Sequence, residues 1–387
     1  MAKRRGNGTN AEWYDEKKKI WRGSISLGRD ENGRIKRKSV SGKTQTEVRQ
    51  KLKQIELKVF TGDYVDETTI TIRELAEQIE KDKLELNEIG ENTYFRNIET
   101  IKMLNEISYI PIQQITEARL KSFIASKLDD YSQTTINKMY VILRRTFREA
   151  VKRKIRSDNP MEDIKKPKSK KQTEVIRALT VQEQSRLMEV LQTGKIKYSQ
   201  QMILSMFTGM RMGEINALTV KDINLIFNTI SVNKSMSRGR RGEAILGSTT
   251  KTEAGDRILP ITSEIKPLLS ECVKYAENGL LFYNRNGKML TTNQVNAELQ
   301  RALKKYDIAD KDVRGKITLH SLRHTYATRC IEGGMNAKAL QKLMGHKDIS
   351  MTLNRYCDAF EHFESENIKR VNEYLKQNGL TLNSAIV

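Results

Sequence analysis

Apolar and polar positions alternate with a period that changes along the chain, and each change marks a different kind of element. Trp21 to Leu27 alternates as a strand, Arg29-Asp30-Glu31-Asn32-Gly33 is turn chemistry, and Ile35 to Val40 resumes the strand pattern, which predicts a hairpin. Thr44-x-x-Glu47 then forms a capping box, and Val48, Leu52, Ile55 and Val59 recur at helical spacing, so a helix packs on that hairpin. From residue 71 the period is helical for about 90 residues. Thr71-x-x-Glu74 caps a first helix with Ile72, Leu75, Ala76 and Ile79 inside; Tyr94, Ile98, Ile101 and Leu104 mark a second. A third helix starts near Thr116, and a fourth from about Ser132 buries Ile136, Met139, Tyr140, Leu143, Phe147 and Val151. Asn159-Pro160 stops it, and Lys165 to Lys171 is a polar basic tether. A mixed region follows. Thr180-x-x-Glu183 opens a helix, and Asn228–Lys234, Glu243–Ser248 and Asp256–Ile261 read as a three-stranded antiparallel meander. After Lys316 the chain is helical again.

A length of 387 residues gives room for two or three domains with their own cores. A formal charge of +21 and a pI near 9.7 call for a polyanionic partner: DNA, RNA or an anionic membrane. No apolar run approaches the roughly 20 residues of a spanning helix, and the basic start lacks a signal peptide's apolar stretch, so the expected location is the cytoplasm. The first 60 residues hold 17 Lys and Arg against 7 Asp and Glu, which concentrates charge on the small N-terminal fold. Arg22, Arg34, Lys36 and Lys38 on the hairpin, and Lys138, Arg144, Arg145 and Arg148 on the fourth helix, are the candidate contacts for DNA phosphates, with a merely solvated basic face as the alternative. Cys272, Cys330 and Cys357 are odd in number and far apart, which suggests neither a disulfide framework nor a zinc site. The four histidines lack the short spacings of metal ligands, so neither a metal nor a cofactor is expected.

Six residues in the last 177 positions form a set that phosphodiester transfer can use without a metal: Arg211, Lys251, His320, Arg323, His346 and Tyr356. Developing charge on a phosphate oxygen needs rigid donors, the leaving oxygen needs a proton, and the attacking atom must lose one. Arg211 stands in Thr208-Gly209-Met210-Arg211-Met212-Gly213-Glu214, and His320 with Arg323 in Leu319-His320-Ser321-Leu322-Arg323-His324. His346 follows Leu343-Met344-Gly345, and Tyr356 lies ten residues later in Leu353-Asn354-Arg355-Tyr356. In this order the strings resemble the tyrosine recombinases, or phage integrases, closely over roughly 174 to 370, and the N-terminal layout is similar to that of integrases from conjugative transposons and Gram-positive phages.

The resemblance implies a multidomain fold. It has a small N-terminal β-hairpin or sheet plus helix over 1–62 that binds arm-type DNA sites, and an all-α core-binding bundle over 68–164. A basic linker over 165–173 leads to a mixed, mainly α catalytic domain over 174–387. Tyr356 is then the nucleophile that leaves a 3′-phosphotyrosine, its phenol being a poor nucleophile until a neutralised phosphate and a base are beside it. Arg211 and Arg323 hold nonbridging oxygens, because the guanidinium fork matches phosphate and stays charged, and Glu214 orients Arg211. Lys251, between the second and third strands of the meander, protonates the departing 5′-oxygen; His320 is the general base and His346 a hydrogen-bond donor. Lys234, Arg238, Arg240 and Arg241 are expected to touch the DNA backbone. Phe363, Ile368, Val371, Tyr374 and Leu375 dot the polar tail, which would dock on a neighbouring protomer of a synaptic homotetramer. The implied partners are double-stranded attachment sites, an excision factor and a host DNA-bending protein, in the nucleoid of a bacterial host. Two rival readings stay open at this point: a type IB-like topoisomerase, and a sequence-specific DNA-binding regulator that does not cut.

Overall fold

The structure, a computed structural model, describes residues 11–29, 33–239, 243–248, 256–350, 352–353, 364–378 and 380. It divides into two compact units, Met1–Gln172 and Thr173–Val387.

The first unit opens with an antiparallel sheet of β1 (Ala11–Asp15), β2 (Ile20–Arg29) and β3 (Ile35–Gly42), in the order β1-β2-β3. The hairpin predicted from β2 and β3 therefore gains a five-residue strand ahead of it, which lies before the alternation that begins at Trp21. Helix α1 (Gln45–Phe60) packs on one face through Val48, Leu52 and Ile55 against Trp21, Ile25, Leu27 and Val40. Gly23 is what lets it lie so close: a Cβ there would sit 2.7 Å from both Leu52 and Val48. The start of α1 is half a capping box, since Thr44 accepts from the Glu47 amide but Glu47 accepts from the Lys43 amide, one residue earlier than expected.

The bundle comprises α2 (Ile72–Glu85), α3 (Glu91–Lys102), the short α4 (Asn105–Ser108), α5 (Glu117–Lys127) and α6 (Gln133–Lys152). Thr71, Thr116 and Ser132 cap the predicted helices, Thr71 with the full reciprocal box to Glu74. Where α2, α3 and α6 meet, Glu80 is fully buried; it accepts from Asn97 at 2.6 Å and pairs with Arg145. Arg145 is thus an interior tie rather than part of the outer basic stripe, which consists of Lys138, Arg144, Arg148 and Lys152. The segment expected to be a free tether also departs from expectation. Gln133 donates to the Pro167 carbonyl (3.0 Å) and accepts from the Ser169 amide (2.8 Å), and the Lys170 amide reaches the Leu128 carbonyl (2.9 Å), so these residues are docked on the bundle.

The second unit begins with α7 (Val181–Gln192), α8 (Ser199–Thr208) and α9 (Met212–Ile215). The strands do not form the predicted meander. Asn228–Lys234 holds β5 (Thr229–Val232) and only the first residue of β6 (Lys234–Arg238); β5 lies between β4 (Ile223–Asn224) and β8 (Arg257–Pro260), while β6 pairs with β7 (Ala244–Ser248) in a separate two-stranded ribbon. The reason is burial: β5 and β8 alternate inward and outward over the core, whereas most of β7 is exposed. Helices α10 (Lys266–Lys274), α11 (Thr292–Lys305), α12 (Leu319–Glu332), α13 (Ala337–Met344) and α14 (Glu364–Gln377) complete the unit. Its core runs from Leu179 through Met202, Ile215, Ile230 and Leu259 to Leu322. No helix among the described residues is long and apolar enough to cross a membrane.

Removing one partner of a buried ion pair leaves a charge without compensation, at about 3–5 kcal/mol. Arg145→Ala should therefore lower the stability of the bundle by that order in denaturant titrations, while Arg144→Ala, on the exposed stripe, should change it little. Equal midpoints for the two variants would return Arg145 to the surface set.

Candidate active site

The site is built from three chain reversals. The first follows α8, which ends at Gly209 in the left-handed region (φ +66°). A Cβ there would meet the Tyr326 ring at 2.4 Å, so both the conformation and the space demand glycine. The chain then turns through buried Met210 into Arg211, the extended residue that caps α9. Glu214, at 2% exposure, accepts from the Arg211 amide at 2.9 Å and from Arg211 Nη1 at 2.8 Å, which fixes the side chain from both ends. The expected orienting role of Glu214 thus has a direct geometric counterpart.

The second reversal starts α12, where Thr318 accepts from the His320 amide. His320 is exposed, and its ring stands perpendicular to that of buried His324 at 4.6 Å. Three residues on, Arg323 is 2% exposed. Its Nη1 donates to the Gly209 carbonyl at 2.7 Å and its Nη2 to the Met344 carbonyl. The third reversal ends α13 at Gly345, again left-handed (φ +61°), and delivers His346, whose Nδ1 lies 2.8 Å from the Thr352 hydroxyl.

Arg211, His320 and Arg323 line one cleft of about 360 Å³, together with Met212, Gly213, Asn293 and Asn296. His346 opens instead on a neighbouring groove of about 830 Å³ with Val232, Arg257, Ile258 and Lys342, and is joined to the first cleft through the Met344 carbonyl held by Arg323. Lys251, Tyr356, Cys357, His362, Arg240 and Arg241 lie outside the described residues. Lys234 is not a free cation: it pairs with buried Asp222 (2.7 Å to Oδ1) and donates to Thr219.

Sequence reasoning missed Arg257. It donates to both Glu214 oxygens (2.7 and 3.3 Å) and through Nε to the Leu343 carbonyl (2.8 Å), with its side chain almost wholly buried. The signal was its parity: Arg257 shares the inward phase of Leu259 and Ile261. Burial pushes the Glu214 carboxyl up, but the hydrogen bonds and charge of Arg257, then the charge and amide of Arg211, hold it at about 2. Among the described residues no group of three or more His, Cys, Asp or Glu is arranged to hold a metal ion.

On the N-terminal sheet, the cross-strand register puts Arg22, Ser24, Ser26, Arg37, Ser39, Ser41 and Trp13 on the face opposite α1. Arg22 is steadied there by Asp15 at 3.0 Å. Lys36 and Lys38 have the other parity and pair with Asp66 and Glu67, while Arg34 is exposed just ahead of β3. Arg37, not chosen from the sequence, is the second arginine of the open face.

Two family models match the chain: the phage integrase family over residues 177–362, and the phage integrase SAM-like domain over 71–170. The chain belongs to the phage integrase family. The transposase of transposon Tn916 from Enterococcus faecalis is 28% identical over 262 residues, which cover 65% of this integrase-family chain and 64% of that relative, under two thirds of its length. The Tn1549 transposon integrase, solved in complex with a circular intermediate DNA, matches with a TM-score of 0.64 and 24% identity over 74% of this chain and 94% of that one. A lambda integrase tetramer bound to a Holliday junction matches with a TM-score of 0.57 and 19% identity over 88% and 93%. Both describe the same fold.

A carboxylate whose folded value is depressed contributes stability that is present above its unfolded value and is lost as pH falls through the folded one. With Glu214 moved from 4.5 to about 2, the unit carrying it should lose stability between those values, by about 3 kcal/mol at most from this group, and stay level above them. Acid titration of Glu214→Gln should show a shallower fall over the same window; an unchanged profile would mean that the carboxyl is not held by its arginines.

Proposed function

We propose that this chain is a site-specific DNA recombinase that cuts and rejoins strands through a 3′-phosphotyrosyl intermediate, integrating and excising a mobile element. The observation that carries the reading is the convergence of Arg211, His320 and Arg323 on one cleft, with the turn before His346 tied to it by the Arg323 guanidinium. A phosphate there meets fixed cationic donors, which supports charge building on its oxygens without reorganisation. Tyr356 attacks phosphorus and gives its proton to His320. The bond to the 5′-oxygen breaks as Lys251 protonates that oxygen, and His346 donates to the phosphate. The phosphotyrosyl link keeps the energy of the broken bond, so the 5′-hydroxyl of a second DNA end reverses the step with no cofactor.

The rest of the chain supports a DNA substrate. The stripe Lys138, Arg144, Arg148 and Lys152 on α6 suits a phosphate backbone at a core site, and the open sheet face with Arg22 and Arg37 suits a groove at an arm site. On α14, Ile368, Val371 and Tyr374 are exposed on one side, fitting the docking of this helix on a neighbouring copy in a homotetramer on DNA. The lambda integrase tetramer on a Holliday junction is the assembly this reading extends to the present chain. Directionality from an excision factor, assistance from a host DNA-bending protein and residence in the bacterial nucleoid belong to the same proposal.

On a nicked duplex spanning the boundary of the element that encodes the chain, the wild type should form a denaturant-resistant protein-DNA adduct. Tyr356→Phe should bind that duplex but form none, and an adduct at wild-type yield would remove Tyr356 from its role. Deleting residues 1–62 should flatten the dependence of log affinity on log salt for long boundary DNA, by roughly 0.9 for each phosphate that is no longer neutralised. A short duplex limited to the cut site should still be cleaved. An unchanged salt slope with normal integration would make the N-terminal sheet a passive accessory.

A further inference from the structure

Arg257 occupies a place that its neighbours do not explain by packing alone. It begins β8, an outer strand of a small sheet, yet its side chain is almost wholly buried, and its Nε, Nη1 and Nη2 donors reach two different chain reversals. One is the turn of Arg211, reached through both oxygens of Glu214. The other is the end of α13, reached through the Leu343 carbonyl, one residue before the carbonyl that Arg323 takes. Helix ends leave their last carbonyls without partners and carry partial negative charge, so two cations on consecutive carbonyls fix the direction in which Gly345 and His346 leave the helix.

We infer that Arg257 is a positioning residue for strand transfer, which sets Arg211 through Glu214 and His346 through Leu343, so that the cleft of Arg211 and the neighbouring groove of His346 share one buried cation. The inference rests on the strand-transfer reading above. Glu214 alone could not do this: a carboxylate buried beside Arg211 has to balance its own desolvation, and the bidentate Arg257 fork supplies that balance and a fixed orientation together. Lysine in the same place would keep the charge but lose the fork, and so could not hold Glu214 and Leu343 at once. Lys251 lies six residues upstream in sequence, so the strand that Arg257 anchors is also the one that follows that lysine's segment.

The test is a double-mutant cycle on the full-length chain, using the same nicked boundary duplex at saturating concentration and counting active molecules by stoichiometric binding. Arg257→Lys should slow single-turnover adduct formation by about 10–100-fold, the usual effect of losing an orienting outer partner, with the affinity for the duplex nearly unchanged. In an Arg211→Lys background the same change should cost far less, because the residue it acts through is already altered. Melting temperature is followed in parallel, since a purely structural role would lower it and reduce the active fraction while leaving the rate per active molecule intact. If Arg257→Lys does not fold, Arg257→Gln, which keeps a donor for Leu343 and drops the charge, takes its place in the cycle. A wild-type rate per active molecule, or a cost equal in both backgrounds, overturns the positioning role. Failure of the wild type to form any adduct overturns the strand-transfer reading instead.

Discussion

The described parts of the site depend on one almost wholly buried guanidinium at the wall of the cleft. Arg323 joins the Gly209 carbonyl to the Met344 carbonyl, and those two residues belong to the turns that carry Arg211 and His346. A cation this deeply buried is tolerated only when its donors are satisfied, so the two carbonyls have to stay where they are for the unit to be stable. Stability and site geometry are thereby made one requirement. The left-handed glycines at 209 and 345 belong to the same constraint, because each lets a helix end abruptly and present its carbonyl to the interior.

Arg257 and Glu214 add a second layer behind the first. Arg211 is the more accessible of the two family arginines, and an exposed long side chain loses most of its directional value to rotamer freedom unless it is held. Glu214 holds it from the amide and from the guanidinium, and Arg257 holds Glu214. The cleft is thus lined by a few polar groups whose supports are buried, the arrangement expected where charge must be met without delay.

Much of this was legible in the sequence, and what was not has physical causes. Thr71, Thr116, Ser132 and Thr180 announced helices because a cap is a local hydrogen bond between neighbours in sequence. The strings around Arg211, His320 and His346 were equally local, and the glycines in the first and the last, Gly209 and Gly345, make two of the reversals seen in the structure. The break at Asn233 was invisible, since alternation runs on through β5 and β6 and only pairing partners reveal that the strands belong to different sheets. Arg145 read as one of a row with Arg144 and Arg148 because Glu80, its reason for being inside, lies on another helix. The docked tether was misread for the same reason: its composition says flexible, and the side-chain amide that pins it is Gln133, at the start of α6. Arg22 and Arg37 on one face, against Lys36 and Lys38 on the other, required the strand register, which no count of charges supplies.

The ending of α13 has a consequence for how the protein opens. An eight-residue helix is too short to persist by its own hydrogen bonds, and its last turn would ordinarily be the first place to fray. Here the two carbonyls at that end are held by Arg257 and Arg323, which are anchored in β8 and α12. Local opening at Gly345 and His346 therefore has to disturb a strand and a long helix as well, so the backbone amides of this turn should exchange with solvent more slowly than the length of the helix alone would allow.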